Sequence, residues 1–406
     1  MPNQKYIALV DCDSFFVSCE RKLNPELKGL AVSVVSGERG CVIARSREAK
    51  KLGVPMGIPL FQAVEKYPEC IYIPANHYAY TKISKSVMAI LKDFSPNVQI
   101  YSIDEAFVDF TGIEKLYKKN YYELGLELQK RIADEVDIPV TIGISRSKTL
   151  AKLASDKAKD TPDRVALAGK NTRIKLLKNT EIDEVWGIGR KLGQKLRGYG
   201  IKTAYEYTLR DDGWIQKRFG KNGLATKAEL LGIMTSPISS AAELPKSVSD
   251  SKSFPEFTSD MKYLRNELSI HIHNCCKRLR KIGCKCSTVG VFLKTKDFRT
   301  YYEKTDLSTP LDFEFDISKA CFEILDKIYT QYTPYRSIGV VFENFNQTSE
   351  EQLLLFDDNP KRERNEKLGK SLDILEKKFG RNIVRTGFTN KDVPFKQGFL
   401  TTPQDV

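Results

Sequence analysis

The chain has no apolar run approaching about 18 residues, no Cys-x-x-Cys pair, no internal repeat and no low-complexity tract. Without a long apolar run there is no candidate membrane-spanning helix, and the N-terminus runs straight into a first strand with no signal-peptide pattern. A cytoplasmic protein without a membrane partner is therefore expected. Nine cysteines, an odd number without a paired framework, fit a reducing compartment and not a disulfide scaffold. His271, His273, Cys275, Cys276, Cys284 and Cys286 fall within sixteen positions. Their spacing argues against zinc, because adjacent cysteines point in different directions on a helix. A second acidic cluster suggestive of an exonuclease is also missing. What the chain does have is length, 406 residues, and 41% hydrophobic residues, enough for several cores. Lys and Arg number 65 against 52 acids, a net charge of +13 that favours a polyanionic partner. The excess is uneven: residues 170–232 carry 14 basic and 7 acidic side chains, whereas residues 347–406 carry 11 and 10. Contacts to a phosphate backbone are expected mid-chain.

The most informative stretch is Val98-Gln-Ile-Tyr-Ser-Ile-Asp104-Glu105-Ala-Phe-Val-Asp-Phe110, two apolar β-rich runs interrupted by adjacent carboxylates. Neighbouring side chains on a strand point to opposite faces, so Asp104 and Glu105 converge only if the chain turns there. A third acid, Asp11, closes the apolar run Tyr6-Ile-Ala-Leu-Val10. Three acids at the ends of neighbouring strands would form an oxygen-rich pocket suited to Mg²⁺. Two such ions can activate a hydroxyl and stabilise the leaving oxygen of an in-line phosphoryl displacement. Trp186-Gly-Ile-Gly189-Arg-Lys-Leu-Gly-Gln-Lys195-Leu-Arg197 reads as a Gly-rich turn feeding a helix, whose free amides and positive end bind phosphate. Gly187, Gly189, Arg190, Lys191, Lys195 and Arg197 are its candidate DNA contacts. Near the C-terminus Gln352-Leu353-Leu-Leu355-Phe356 sets an apolar plug between acids, a peptide that needs a groove.

Asp11-Cys-Asp-Ser-Phe-Phe16 with Tyr101-Ser-Ile-Asp-Glu-Ala-Phe107 resembles the catalytic signature of Y-family, lesion-bypass DNA polymerases. Gly40–Val54, Thr149-Leu-Ala-Lys-Leu-Ala154 and Val185-Trp-Gly-Ile-Gly-Arg190 narrow the resemblance to the bacterial UmuC-like branch, and it runs from about residue 5 to about residue 400. It implies an α+β right-hand polymerase. A palm would cover 1–28 and 77–168, with strands Tyr6–Val10, Val98–Ile103, Ala106–Phe110 and Val140–Ile144. Small fingers would cover 29–76, a helical thumb with a helix-hairpin-helix 169–232, a linker 233–248, a little finger 249–346, and a clamp-binding peptide and tail 347–406. The little finger is expected as helix, strand, strand, helix, strand.

The resemblance also implies residue roles. Asp11, Asp104 and Glu105 would be catalytic and hold two Mg²⁺ ions, with Mn²⁺ as a substitute, and Cys12 would add its backbone carbonyl. Phe16 would be the steric gate against a ribose 2′-OH, where many UmuC-like proteins carry Tyr. Arg47, Lys50 and Lys159 would hold the triphosphate, although Arg47 stands where many relatives have tyrosine. Gln352, Leu353, Leu355 and Phe356 resemble the motif that docks on the bacterial sliding clamp. The implied activity is error-prone, template-directed synthesis across damage, on primer-template DNA and deoxynucleotides. The tail from Lys361, with an ordered element at 379–385, is where a small accessory subunit would bind. Two alternatives stay open, another palm-type phosphotransferase such as a cyclic-dinucleotide cyclase and a non-catalytic DNA-binding scaffold.

Overall fold

The structure, a computed structural model, describes residues 5–37, 40–239, 244–347 and 359–379. The chain divides into two units, Met1–Ala242 and Glu243–Val406.

The first unit is built on a five-stranded sheet in the order Val98–Ile100, Glu105–Asp109, Ile7–Cys12, Val140–Ser145, Val165–Leu167. Ile7–Cys12 is central and pairs antiparallel with both neighbours, placing Leu9 opposite Phe107 and Asp11 opposite Glu105. The sheet's two faces have different jobs. Ala8 and Val10 join a large core closed by the helices His77–Phe94 and Tyr121–Val136, whereas Ile7, Leu9 and Phe107 form a smaller apolar patch with Ala151, Trp186, Met234 and Ile238. Side chains two apart share a face, so Asp11 and Glu105 continue the second patch at its end.

The helix Lys148–Ala158 covers that second face, and a glycine lets it approach. A Cβ at Gly143 would stand 2.1 Å from both the Ala151 carbonyl oxygen and the Ser155 nitrogen. Both are backbone atoms with nowhere to go. A separate three-stranded sheet, Val42–Arg45, Val32–Val35, Ile71–Pro74, carries the segment expected as fingers around its own core of Val35, Val42, Val54 and Ile58. After it come short helices, among them Lys170–Lys178 and Arg190–Gly198, and a longer one, Asp212–Leu230, that breaks where Gly220 adopts φ 64.

One expectation, the order of elements in the second unit, needs correction. The segment expected as a linker, 233–248, is anchored at its start. Met234 and Ile238 pack in the apolar patch, the Thr235 amide donates to Glu229 Oε1 at 2.7 Å, and buried Lys148 donates to the Pro237 carbonyl at 3.0 Å. Its Ser, Pro and Ala content conceals two well-spaced apolar anchors. In the second unit the strand Ser247–Thr258 precedes the expected helix Met261–Lys281, and the sheet order is Thr300–Leu311, Cys284–Thr295, Tyr335–Gln347, Ser247–Thr258. Ser247–Thr258 is an edge strand that buries only Val248 and Phe254, with Asp250 partly buried against His271. A strand with so few buried positions lacks the apolar alternation that announces one.

Thr300–Leu311 is the opposite edge of the sheet. The helices Met261–Lys281 and Glu314–Ile328 cover one face of this sheet around Leu268, Ile272, Val291 and Ile338. A further helix, Asn359–Phe379, was not expected, and of the element expected at 379–385 only Phe379 lies within the described residues.

Candidate active site

The hairpin between Ile100 and Glu105 is tied by serine. Ser102 Oγ accepts from the amides of Asp104 at 3.2 Å and Glu105 at 3.0 Å and donates to Asp104 Oδ1, while Ser84 Oγ donates to the Ile103 carbonyl. A short serine turn of this kind replaces ladder bonds at a bend. It brings Asp104 back toward the central strand, where the Cys12 amide donates to the Asp104 carbonyl at 2.9 Å. The turn that the adjacent acids required is therefore present.

Asp11 is buried, and its carboxyl is held above the usual range, first by burial and then by the nearby charges of Glu105 and Asp104, with Lys159 opposing. Two lysines answer that negative charge. Lys159 Nζ lies 2.7 Å from Asp11 Oδ2, and Lys152 Nζ lies 2.7 Å from Glu105 Oε1. Burial works against the Lys159 ammonium, but Asp11 and Asp156 outweigh it and hold its pKa above the usual lysine range. Among the described residues no three His, Cys, Asp or Glu groups form a ready-made cation cage, because Asp11 and Glu105 are each turned onto a lysine. The donor chemistry nevertheless fits a hard divalent cation, since the converging groups are carboxylate oxygens whose mutual repulsion favours a shared positive charge. Burial, then Asp104 and Asp11, push the Cys12 thiol well up. Asp13 turns away from the acids and pairs with Arg164 and with the Thr141 hydroxyl, the latter at 2.8 Å.

Phe16 is the second residue of the helix Phe15–Leu23, which starts from Ser14 in a left-handed conformation (φ 45) without a side-chain cap. Its half-buried ring stacks on Tyr80 at 4.7 Å and meets His77 edge-on at 5.6 Å. Tyr80 is fully buried and donates its hydroxyl to the Glu20 carboxylate, so this wall is fixed from behind. Arg47 and Lys50 are exposed on the short helix Arg47–Lys51, capped by Ser46. Spaced three apart, they share its outer face. Neither shows the direct link to the acids that Lys159 has.

At the glycine-rich turn Gly187 takes φ +89 and Gly189 caps the helix Arg190–Gly198 without a side chain, leaving its first amides open. Ile188 is buried and anchors the turn, while Arg190, Lys191 and Lys195 are exposed. A Cβ at Gly193 would displace the Asp183 carboxylate, which pairs with Arg197. Lys195 also lies 5.5 Å above the Phe219 ring. The turn touches the acid hairpin: Trp186 Nε1 donates to the Tyr101 hydroxyl at 3.3 Å, with the rings edge to face at 5.4 Å.

In the second unit, His271 Nδ1 lies 2.7 Å from Asp250, and His273 lies 3.0 Å from Glu314 and 3.1 Å from Glu376. Cys275, Cys276, Cys284 and Cys286 are core residues, and burial pushes the Cys275 and Cys286 thiols up to about 12. Gln352, Leu353, Leu355 and Phe356 lie outside the described residues. Sequence reasoning named no role for Lys152 or for the Tyr80–Glu20 pair behind Phe16. The seven-residue interval from Lys152 to Lys159, two helical turns, was the available signal for the first. Nothing local marks the second.

Comparison with known proteins gives a consistent family match. Models of the impB/mucB/samB family match residues 10–156 and, for its C-terminal domain, 245–355, with the family's HHH motif at 170–201. The chain is 34% identical over 389 residues to protein UmuC of Salmonella typhimurium, covering 93% of this chain and 92% of the relative. It is 32% identical over 384 residues to DNA polymerase IV of Dehalococcoides mccartyi strain CBDB1, covering 94% and 96%. Among solved structures it resembles a Y-family DNA polymerase chimera, with TM-score 0.70 and 25% identity over 84% of this chain and 100% of that one. An insertion ternary complex of Dbh DNA polymerase shares the fold at TM-score 0.58 and 24% identity, covering 84% and 100%.

Proposed function

From the premise that the chain belongs to the impB/mucB/samB family, the UmuC-like branch of the Y-family DNA polymerases, we propose how its residues carry out the reaction. The chain is a DNA-directed DNA polymerase of the translesion class. In our reading the primer 3′-OH attacks the α-phosphate of a deoxynucleotide in line and pyrophosphate leaves, on damaged as well as intact template and with low fidelity. The observation that carries this is the cross-strand pairing of Asp11 with Glu105, with Asp104 turned back beside them by the serine hairpin.

Asp11, Asp104, Glu105 and the Cys12 carbonyl would hold two Mg²⁺, or Mn²⁺ in their place, which when bound supply Lewis-acid activation of the hydroxyl and charge neutralisation at the leaving oxygen. Lys159, Arg47 and Lys50 would receive the triphosphate, whose charge exceeds what the acids' partners balance. Phe16, backed by Tyr80, would close the space a ribose 2′-OH needs. The open amides at Gly187–Lys191, with Arg190, Lys191 and Lys195, would grip the DNA backbone. The segments 1–28 with 77–168, 29–76, 169–232 and 249–346 would serve as palm, fingers, thumb and little finger.

Gln352, Leu353, Leu355 and Phe356 would tether the enzyme to the bacterial sliding clamp, and a small accessory subunit would dock on the tail. The enzyme would work in the cytoplasm on the chromosome. Primer extension with Asp104→Ala as control tests the reading. Loss of nucleotide addition with primer-template binding retained supports it, and near-parental turnover by the variant sinks it.

A further inference from the structure

The helix Lys148–Ala158 presses on the sheet at Gly143, and two lysines seven positions apart, Lys152 within it and Lys159 at its C-terminal cap, reach the two acids that face each other across the strands. Lys159 is already assigned to the nucleotide's phosphates, but Lys152 has no place in that reading. Its Nζ lies 2.7 Å from Glu105 Oε1 and 5.7 Å from the centre of the Tyr101 ring, and Tyr101 is itself steadied by Trp186. The two partners' side chains are only 24% and 17% exposed, so solvent screens the pair less than it would a surface ion pair.

A divalent cation on Glu105 would sit about 2 Å from the same carboxylate. An ammonium left in place would then be roughly 4 Å from a doubly charged ion, a like-charge contact that a half-buried site does not tolerate. Lysine is a compact charge on a flexible stem, free to change partner while its helix stays fixed.

We infer that Lys152 is a positioning residue that exchanges partners, holding Glu105 in place before the cation binds and passing to the phosphates of the incoming nucleotide once the cation takes the carboxylate. This rests on the two-cation reading above. Cation binding and lysine release are then one coupled equilibrium, and removing the ammonium lets the cation bind more tightly although a site residue has been lost. A merely structural Lys152 gives the opposite sign, because an unpinned Glu105 makes a poorer ligand.

The test is a Mn²⁺ titration followed by electron paramagnetic resonance, with the full chain on primer-template DNA and no nucleotide. It compares parent, Lys152→Met, Lys152→Gln, Lys152→Arg, Asp104→Ala and Lys157→Met, the last an exposed lysine of the same helix paired with Asp160. Lys152→Met and Lys152→Gln are expected to bind Mn²⁺ about tenfold more tightly, within the range usual for coupled ligands, and Lys152→Arg and Lys157→Met within about twofold of the parent. Unchanged or weaker binding by whichever of the Met and Gln variants melts like the parent overturns the inference. Parent binding that Asp104→Ala leaves intact overturns the two-cation reading instead.

Discussion

The ring of Phe16 lies flat on the ring of Tyr80, centroids 4.7 Å apart and planes within 19°, and Tyr80 is locked from behind by Glu20. Burial is the main reason that both the Tyr80 hydroxyl and the Glu20 carboxyl are held above their usual pKa values. Phe16 is therefore the outer layer of a stacked, anchored wall and not a single swinging side chain. Phe16→Ala deletes the outer ring and leaves the wall behind it. Ribonucleotide selectivity should fall by roughly tenfold or more, at least about 1.4 kcal/mol, with deoxynucleotide insertion little slowed. Single-nucleotide insertion kinetics measure both, and unchanged selectivity would make Phe16 an ordinary core ring.

Gly143→Ala tests the seat of the lysine-bearing helix. The added methyl meets backbone of Ala151 and Ser155, which cannot rotate away, so the helix must lift. Overpacking of this kind costs about 1–3 kcal/mol, and here it also moves Lys152 and Lys159 away from Glu105 and Asp11. Urea unfolding should report the loss, and primer extension should fall further than the fraction of folded protein explains. A variant with parental stability and turnover would mean that the close approach has no functional weight.

The second unit should have a pH window of its own. The hydrogen bond to Glu314 raises His273 above its ordinary 6.5, with burial opposing and Glu376 adding, while Arg280 and Lys277 on the same helix pair with Glu314, Asp373 and Glu376. Glu314 and Asp250 lie below their ordinary 4.5 and 3.8 because hydrogen bonds from His273 and His271 outweigh burial. A histidine raised in the folded state gives stability that is full below 6.5 and lost as pH rises through its folded value. Lowered carboxylates give stability that is present above their unfolded values and lost as pH falls through their folded ones. Melting of the full chain followed by calorimetry should therefore show the helix Asn359–Phe379 and the core it packs on most stable between these limits. His273→Gln should flatten the alkaline limb alone, and an unchanged limb would remove His273 from the account.

Leu355→Ala with Phe356→Ala should abolish stimulation by the sliding clamp on long primed templates and leave activity on short oligonucleotides unchanged. Tethering raises effective concentration at the primer end without touching the chemical step. Loss of both anchors should cost roughly 2 kcal/mol or more of clamp binding. Titration against purified clamp measures it, and parental affinity would end the docking role.

Much of the site was legible because it is local. Adjacent carboxylates between apolar runs demanded a turn, and Ser102 supplies it within the same six residues. Glycines at 187 and 189 ahead of Arg190 and Lys191 announced an open helix start for a similar reason. Edge elements were not legible: Ser247–Thr258 buries two side chains in twelve positions, and a strand that borrows its order from a neighbour leaves little period in its own sequence. The anchoring of the expected linker was not legible either, since Met234 and Ile238 gain meaning only from the patch they meet.

The sequence by itself determined which residues carry the charge and where the chain must bend, because a carboxylate, a glycine and an apolar alternation act through their own backbone. Tertiary structure alone decided that Asp11 faces Glu105, that one helix brings Lys152 and Lys159 to them over a bare Gly143, and that Tyr80 and Glu20 stand behind Phe16. Those relationships depend on strand register and on burial between segments far apart in the chain, and neither is written in the spacing of any one of them.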